Sequence, residues 1–227
     1  MKKIVFLAFF LLSVFWGWSQ GAVLQKKAGG HGVKVEMLTT EGKMVFVLYN
    51  DTPLHRDNFL KLVRDHTYDG LLFHRVIDKF MIQGGDPESR DAKPNQMLGG
   101  GTLGYTVPAE FRDNHFHKKG ALCAARQGDN VNPKKESSAS QFYVVQGQVW
   151  DEKTLDRMAA AYHKKFSEEQ RKIYTTMGGT PHLDGDYTVF GELVEGMEVL
   201  DRISAVQTDQ NNRPVKDVRI VHVKVIK

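Results

Sequence analysis

The stretch Phe73-His74-Arg75-Val76-Ile77-Asp78-Lys79-Phe80-Met81-Ile82-Gln83-Gly84-Gly85-Asp86 holds residue types that could do chemistry together. It sets one guanidinium, Arg75, near two large apolar side chains, Phe80 and Met81, with the amide of Gln83 a few positions on. Side chains alternate along a strand, which predicts Phe73 and Arg75 on one face. A permanently charged, planar donor beside aromatic and thioether surface suits an apolar pocket with one fixed cation. A structural ion pair for Arg75, with Phe80 and Met81 in the core, accounts for the same residues, and the segment alone does not separate the two readings.

Other reactive side chains offer less. Cys123 is the one cysteine, so no intramolecular disulfide can form; within the small apolar run 120–125 it reads as a minor hydrophobe rather than a nucleophile. His115 and His117 would put two imidazoles on one strand face, but no carboxylate or cysteine stands at ligand spacing; they read as solvated, and no metal site is expected. Gly99-Gly100-Gly101 lacks the Lys-Ser/Thr and following helix of a phosphate loop, so residues 84–104 read as a long glycine-rich loop.

The elements that must position this chemistry are mostly strands. Residues 33–38 and 44–49 form a hairpin across the turn chemistry of 39–43. Thr52-Pro53 starts a helix, with Thr52 as its cap, and His55, Phe59 and Leu62 make its apolar stripe, widened by Leu54 and Val63. Residues 71–82 are strand-like with a break at Asp78-Lys79, and strand-length segments recur at 120–125, 141–145, 187–191 and 218–226. Helical periodicity returns only at 151–177 and 197–203. Many short strands with few helices predict a β-sandwich or barrel.

The chain ends differ from this domain. Met1-Lys2-Lys3 precedes an apolar run from Ile4 to Trp16 broken only by Ser13, and small residues follow at Gly17, Ser19 and Gly21. This layout predicts a secretory signal peptide over residues 1–20; the run is short of the about 20 apolar residues of a membrane span, and an uncleaved N-terminal anchor is the alternative reading. Residues 21–32 read as a flexible tether and 33–227 as the globular domain. The protein is therefore expected to be exported, periplasmic or secreted, and free of the membrane after signal removal. The formal charge of +4 falls to +2 without Lys2 and Lys3, and no basic block stands out, which argues against a nucleic-acid partner.

Together these segments resemble the cyclophilin family. Phe73–Asp86 is similar to its most diagnostic motif; Asp51-x-Pro53 with Asn58-Phe59 is similar to the start of its first helix. Tyr105-Thr-Val-Pro-Ala-Glu-Phe111, Ser140-Gln141-Phe142-Tyr143 and Leu183-Asp184-Gly185-x-Tyr187-Thr-Val-Phe190-Gly191 follow in the right order. The resemblance covers residues from about 33 to 226 apart from one insertion. It implies a closed eight-stranded antiparallel barrel capped by two helices, and a cofactor-free peptidyl-prolyl cis/trans isomerase acting as a monomer on proline-containing polypeptides. Arg75 would be the catalytic cation, and Phe80, Met81, Tyr143 and Leu183 the proline pocket. Gln83 and Gln141 would orient Arg75 and the substrate, and Ala125 and Arg126 would pair with the peptide backbone. Four positions depart from the pattern: Tyr143 stands where phenylalanine is common, Arg126 for asparagine and Tyr187 for histidine, while His182 replaces the tryptophan of cyclosporin-sensitive members. A non-catalytic peptide-binding chaperone on the same fold and a hollow carrier of apolar ligands are the rival readings. The insertion, about residues 148–180, reads as a helical hairpin. Leu155, Met158, Ala159, Tyr162 and Phe166 form its first stripe, and Ser167-x-x-Gln170 is a capping box. Ile173, Tyr174 and Met177 follow before Gly178-Gly179. Its return beside His182 and Leu183 suggests a pocket rim; a passive surface elaboration is the alternative.

Overall fold

The computed structural model describes residues 32–227; the expected signal peptide and nearly all of the tether lie outside them. Ten strands and four α-helices follow in order: β1 (Val33–Thr39), β2 (Gly42–Leu48), α1 (Pro53–Arg64), β3 (Phe73–Ile77), β4 (Met81–Gly84), β5 (Thr106–Val107), β6 (Ala121–Ala124), β7 (Ser137–Ser138), β8 (Phe142–Val145), α2 (Glu152–Ala161), α3 (Glu168–Thr176), β9 (Val189–Glu195), α4 (Met197–Ser204) and β10 (Ile220–Ile226). Eight of the strands form one antiparallel sheet in the order β10-β1-β2-β9-β6-β8-β4-β3, and β5 pairs with β7 apart from it.

The sheet curls without closing, which corrects the expected closed barrel. Its edges β3 and β10 share no ladder. Leu72 and Arg219 form an isolated bridge, and the N–H groups of Phe73 and Ile220 reach the carbonyls of Val218 (2.9 Å) and Leu71 (2.8 Å). Farther along β3, the Val76 N–H meets Asn212, which lies in a turn rather than a strand, so pairing cannot continue there.

Side chains from all eight main strands fill one apolar core, from Val35 and Phe46 through Phe73, Leu122 and Phe142 to Val223, with α1 and α4 supplying Phe59 and Leu200. The opposite face of the central strands carries a second cluster, Met81, Cys123, Tyr143, Val145 and Val189. With both faces covered, every residue of β6 and β8 is buried.

Helix α1 starts at Pro53 as expected, but Thr52 makes no side-chain cap bond. The carboxylate of Glu110 takes that part from 55 residues away, accepting from the N–H groups of Leu54 (3.1 Å) and His55 (3.0 Å). It also meets the His55 ring at 2.7 Å, and the other ring nitrogen lies 2.9 Å from Ser137 Oγ. Negative charge at a helix N-terminus is favourable on dipole grounds as well. Ser137, His55 and Glu110 have the connectivity of an acyl-transfer triad, but all three are buried and Glu110 is engaged with the helix, so the group is structural. Tyr105 donates to Asn58, and Asn58 donates to the carbonyl of Ala139 (both 2.7 Å), tying the glycine-rich loop to α1 and the β8 approach. On α1 itself Leu60 is buried, whereas Leu54 is exposed and does not widen the stripe.

The insertion is the predicted helical hairpin, α2 and α3, and the Ser167–Gln170 capping box is formed in both directions. Leu155 and Tyr174 are buried against Phe116 in a small core of their own, but Tyr162 and Met177 are exposed, so only part of each stripe is used. Gln148 and Gly179 exchange backbone hydrogen bonds (3.4 and 3.1 Å), pinching the two ends of the insertion together. A Cβ on Gly179 would fall 2.2 Å from the carbonyl oxygen of His117, so this junction needs glycine.

Candidate active site

A β-bulge aims the cation. Phe73 pairs with Gly84 and Arg75 with Gln83, so His74 is an extra residue in β3. The bulge reverses the alternation: Phe73 joins the inner core, whereas Arg75 emerges on the opposite face. This corrects the expectation that Phe73 and Arg75 share a face, and it is the redirection a bulge provides.

From Arg75 a row runs across the sheet by register, Arg75 to Gln83 to Tyr143 to Cys123. The Arg75 guanidinium donates to Gln83 Oε1 at 3.2 Å, and Gln83 Nε2 donates to Gln141 Oε1 at 3.2 Å. Gln141 Nε2 then donates to the carbonyls of Gly99 (3.0 Å) and Gly101 (2.9 Å). Each amide is fixed at both ends, and the chain terminates on the glycine-rich loop. Arg75 is half-buried, burial draws its pKa down from the ordinary arginine value, and among the described residues no carboxylate forms an ion pair with it. The structural ion-pair reading of Arg75 therefore fails.

The guanidinium borders a cavity of about 100 Å³. Phe80, Met81, Tyr143 and Leu183 make its apolar wall, Arg75 and Gln83 its polar side, and Ala125, Arg126 and Tyr187 complete it. A cavity of about 150 Å³ holds benzene, so this smaller, half-open one admits no more than a single small ring. Gln141 and His182 do not line it: Gln141 stands behind Gln83, and His182 stacks on the outer side of Phe80 (centroids 5.8 Å). The Arg126 guanidinium lies 4.5 Å over the Tyr187 ring and is tied to the Asp186 carbonyl and Asp129, so it builds wall rather than offering a free charge. The insertion supplies no lining residue; near the cavity its ring contact is Tyr162 on His182.

The histidines differ from expectation. Residues 115–117 are not a strand, and neither imidazole is solvated. His115 stacks on Tyr49 (3.8 Å) with Nε2 2.7 Å from Asp51, while His117 is buried between Asp184 and Tyr143. The pair His117–Asp184 was missed in the sequence, although a tyrosine at a pocket position was a usable signal, since a buried hydroxyl needs a partner. Cys123 is buried and burial pushes its thiol pKa up, in keeping with a packing role.

A family model described as cyclophilin type peptidyl-prolyl cis-trans isomerase matches residues 34–225. The chain belongs to the cyclophilin family. A Streptococcus pyogenes relative, named as a bifunctional phosphatase/peptidyl-prolyl cis-trans isomerase, is 38% identical over 86% of this chain, which spans only 39% of that relative's length. A Staphylococcus haemolyticus relative named for the isomerase alone is 36% identical over 89% of this cyclophilin and 96% of the relative. The crystal structure of a Cryptosporidium parvum cyclophilin type isomerase superposes with a TM-score of 0.64 at 23% identity, covering 86% of this chain and 98% of that one. The same protein crystallised in the presence of the dipeptide Ala-Pro gives a TM-score of 0.61 at 22% identity, over 86% and 99% of the two chains. These two share the fold.

In this cyclophilin the bulge residue His74 is buried with neither ring nitrogen hydrogen-bonded. Burial, opposed by the Asp86 carboxylate and reinforced by the Arg75 cation, lowers its pKa to about 4 from the ordinary 6.5. A depressed histidine pKa means that the unfolded chain binds the proton more tightly. Stability is thus full above pH 6.5, falls as pH drops towards 4 and levels off below, with a loss of about 3 kcal/mol from this group. Urea melts across that window should show the slope, and His74→Gln should flatten it; equal slopes in the two proteins would refute the assignment.

The stacking of His182 on Phe80 also sets an expectation for cyclosporin. An imidazole offers less area than an indole and a different donor position. Cyclosporin should bind weakly, and His182→Trp should tighten it by about tenfold, roughly 1.4 kcal/mol; equal calorimetric affinities would show that position 182 does not control the drug.

Proposed function

We propose that this protein accelerates cis/trans rotation about Xaa-Pro bonds in exported polypeptides and so assists their folding. The observation that carries the reading is a guanidinium that, among the described residues, has no carboxylate partner and is held by an anchored amide beside a small cavity with one apolar wall. Rotation about a peptide bond faces a barrier of about 18–20 kcal/mol because the C–N bond has partial double-bond character. For Xaa-Pro, uncatalysed exchange takes tens to hundreds of seconds. In the twisted transition state conjugation is lost and the prolyl nitrogen regains a lone pair. Arg75 donating to that nitrogen, or to the rotating carbonyl, binds the twisted amide better than either planar form, which is what acceleration requires. Phe80, Met81, Tyr143 and Leu183 hold the proline ring and exclude water. Gln83, fixed through Gln141, keeps the guanidinium aimed. Backbone groups of Arg126 pair with the substrate chain, whereas the N–H and carbonyl of Ala125 are already engaged by Gln141 (3.0 Å) and Ser138 (2.8 Å).

Proline exchange in a short Ala-Pro peptide, followed with the protein lacking residues 1–20, tests the reaction. Peptide binding without exchange would replace it with a peptide-holding chaperone. The export half of the reading rests on the basic head and apolar run of residues 1–20. Mass spectrometry of the N-terminus recovered from cells should find cleavage after Ser19 or Gly21; an intact Met1 in the cytoplasm would overturn it.

A further inference from the structure

A continuous line of hydrogen bonds, partly buried at Asp184 and buried at Tyr143, joins the insertion to the floor of the cavity. On α3, the hydroxyl of Tyr174 donates to Asp184 Oδ2 at 2.7 Å and Gln170 Nε2 lies 3.4 Å from the same oxygen. The other oxygen, Oδ1, accepts from the backbone N–H of His117 and meets its ring Nδ1, both at 2.9 Å. The second ring nitrogen, Nε2, lies 3.0 Å from the hydroxyl of Tyr143, whose ring lines the cavity. A carboxylate only accepts, so Nδ1 carries a proton; in the neutral imidazole Nε2 then accepts the Tyr143 O–H. Tyr174, His117 and Tyr143 are all buried. Without His117 the hydroxyl would keep only the weak thiol partner Cys123, or would have to find water inside the cavity or turn the ring towards it.

We propose that Tyr174, Asp184 and His117 are positioning residues for the proline pocket, and that the insertion acts as a brace: it fixes the Tyr143 ring from behind and keeps the floor dry. The proposal rests on the isomerase reading and goes beyond it, because it assigns the inserted hairpin a part in substrate affinity. Leu183, the residue before Asp184, does not need this brace. The N–H groups of Leu183 (to Thr180, 3.1 Å) and Asp184 (to Pro181, 3.2 Å) close their own 3-10 turn, so the effect of the line runs through Tyr143.

The test is a double-mutant cycle on the chain without residues 1–20, using an Ala-Pro peptide. Tyr174→Phe should raise KM and the calorimetric Kd by about threefold or more while kcat stays within about twofold, since Arg75 is untouched. In a Tyr143→Phe background, where the hydroxyl to be held is gone, the same substitution should change either constant by less than about 1.5-fold, because coupling exists only between groups that share the line. Asp184→Asn, read in the same cycle, serves if Tyr174→Phe does not fold. An equal effect in both backgrounds, or none in either, overturns the brace. Should the parent chain bind the peptide without exchanging it, the isomerase reading fails, but the Kd cycle still decides the brace.

Discussion

Replacing Arg75 with alanine is expected to lower kcat/KM for an Xaa-Pro peptide by about two to three orders of magnitude, the usual cost of removing one preorganised donor from a transition state. The fold should survive. Arg75 is half-buried and hydrogen-bonded to Gln83, but among the described residues it is in no ion pair, so its removal strands no opposite charge there. Gln83 keeps its bond to Gln141 and loses one acceptor contact at a partly exposed position. Arg75→Lys should be nearly as poor, because an ammonium is a point charge without the planar fork that reaches Gln83 and the substrate together. Exchange kinetics on variants whose circular dichroism matches the parent make the measurement. A folded alanine variant with near-full activity would remove the cation from the mechanism altogether.

Glu110→Ala should cost about 3–5 kcal/mol of stability, the range for breaking a buried charged network by deleting one partner. The carboxylate serves the N–H groups of Leu54 and His55 and the ring of His55 at once. Without it the first turn of α1 is uncapped and His55 Nδ1 loses its partner, with only Ser137 Oγ left on the other ring nitrogen. Glu110→Gln keeps an acceptor and should lose about half as much, since a neutral hydrogen bond is roughly half as strong as a charge-assisted one. Urea melts at neutral pH measure both. Glu110 does not border the cavity, so kcat/KM of whatever remains folded should be near the parent value. A loss below about 1 kcal/mol for the alanine variant would mean that Thr52 or water can take over the cap.

What the sequence disclosed and what it hid divide along physical lines. The eight strands of the main sheet, both helices of the insertion and the capping box are local in cause and were placed within a few residues, whereas the short pair β5 and β7 was not expected. Arg75, Phe80, Met81 and Gln83 stood together in the sequence, but the segment alone left a structural ion pair equally open, and only the resemblance to the cyclophilin family decided between the two readings. The bulge at His74 was not legible: it is a property of pairing with β4, and one extra residue reverses every face assignment before it. Glu110 as the cap of α1 was hidden for a similar reason, since its partner lies 55 residues away and Thr52 is a plausible local substitute. The open edge between β3 and β10 depends on where the 208–214 turn places its backbone, which composition does not encode. The line from Tyr174 to Tyr143 was foreshadowed only by one unexpected hydroxyl.

The pinched junction at Gln148 and Gly179 has a consequence for how such a fold can change. Because the two ends of the hairpin are already hydrogen-bonded neighbours, the backbone enters and leaves the insertion through a narrow doorway, whatever stands beyond it. The entropy of closing a loop grows only slowly with its length, so segments of quite different size can hang from this doorway while β6, β8 and β9 keep their register. A graft here would be tolerated on entropic grounds. What it would have to bring is an apolar cover for Phe116, a cation for Asp186 and an acceptable contact for Asp184, and with that last contact the new part would acquire a say in what the pocket holds.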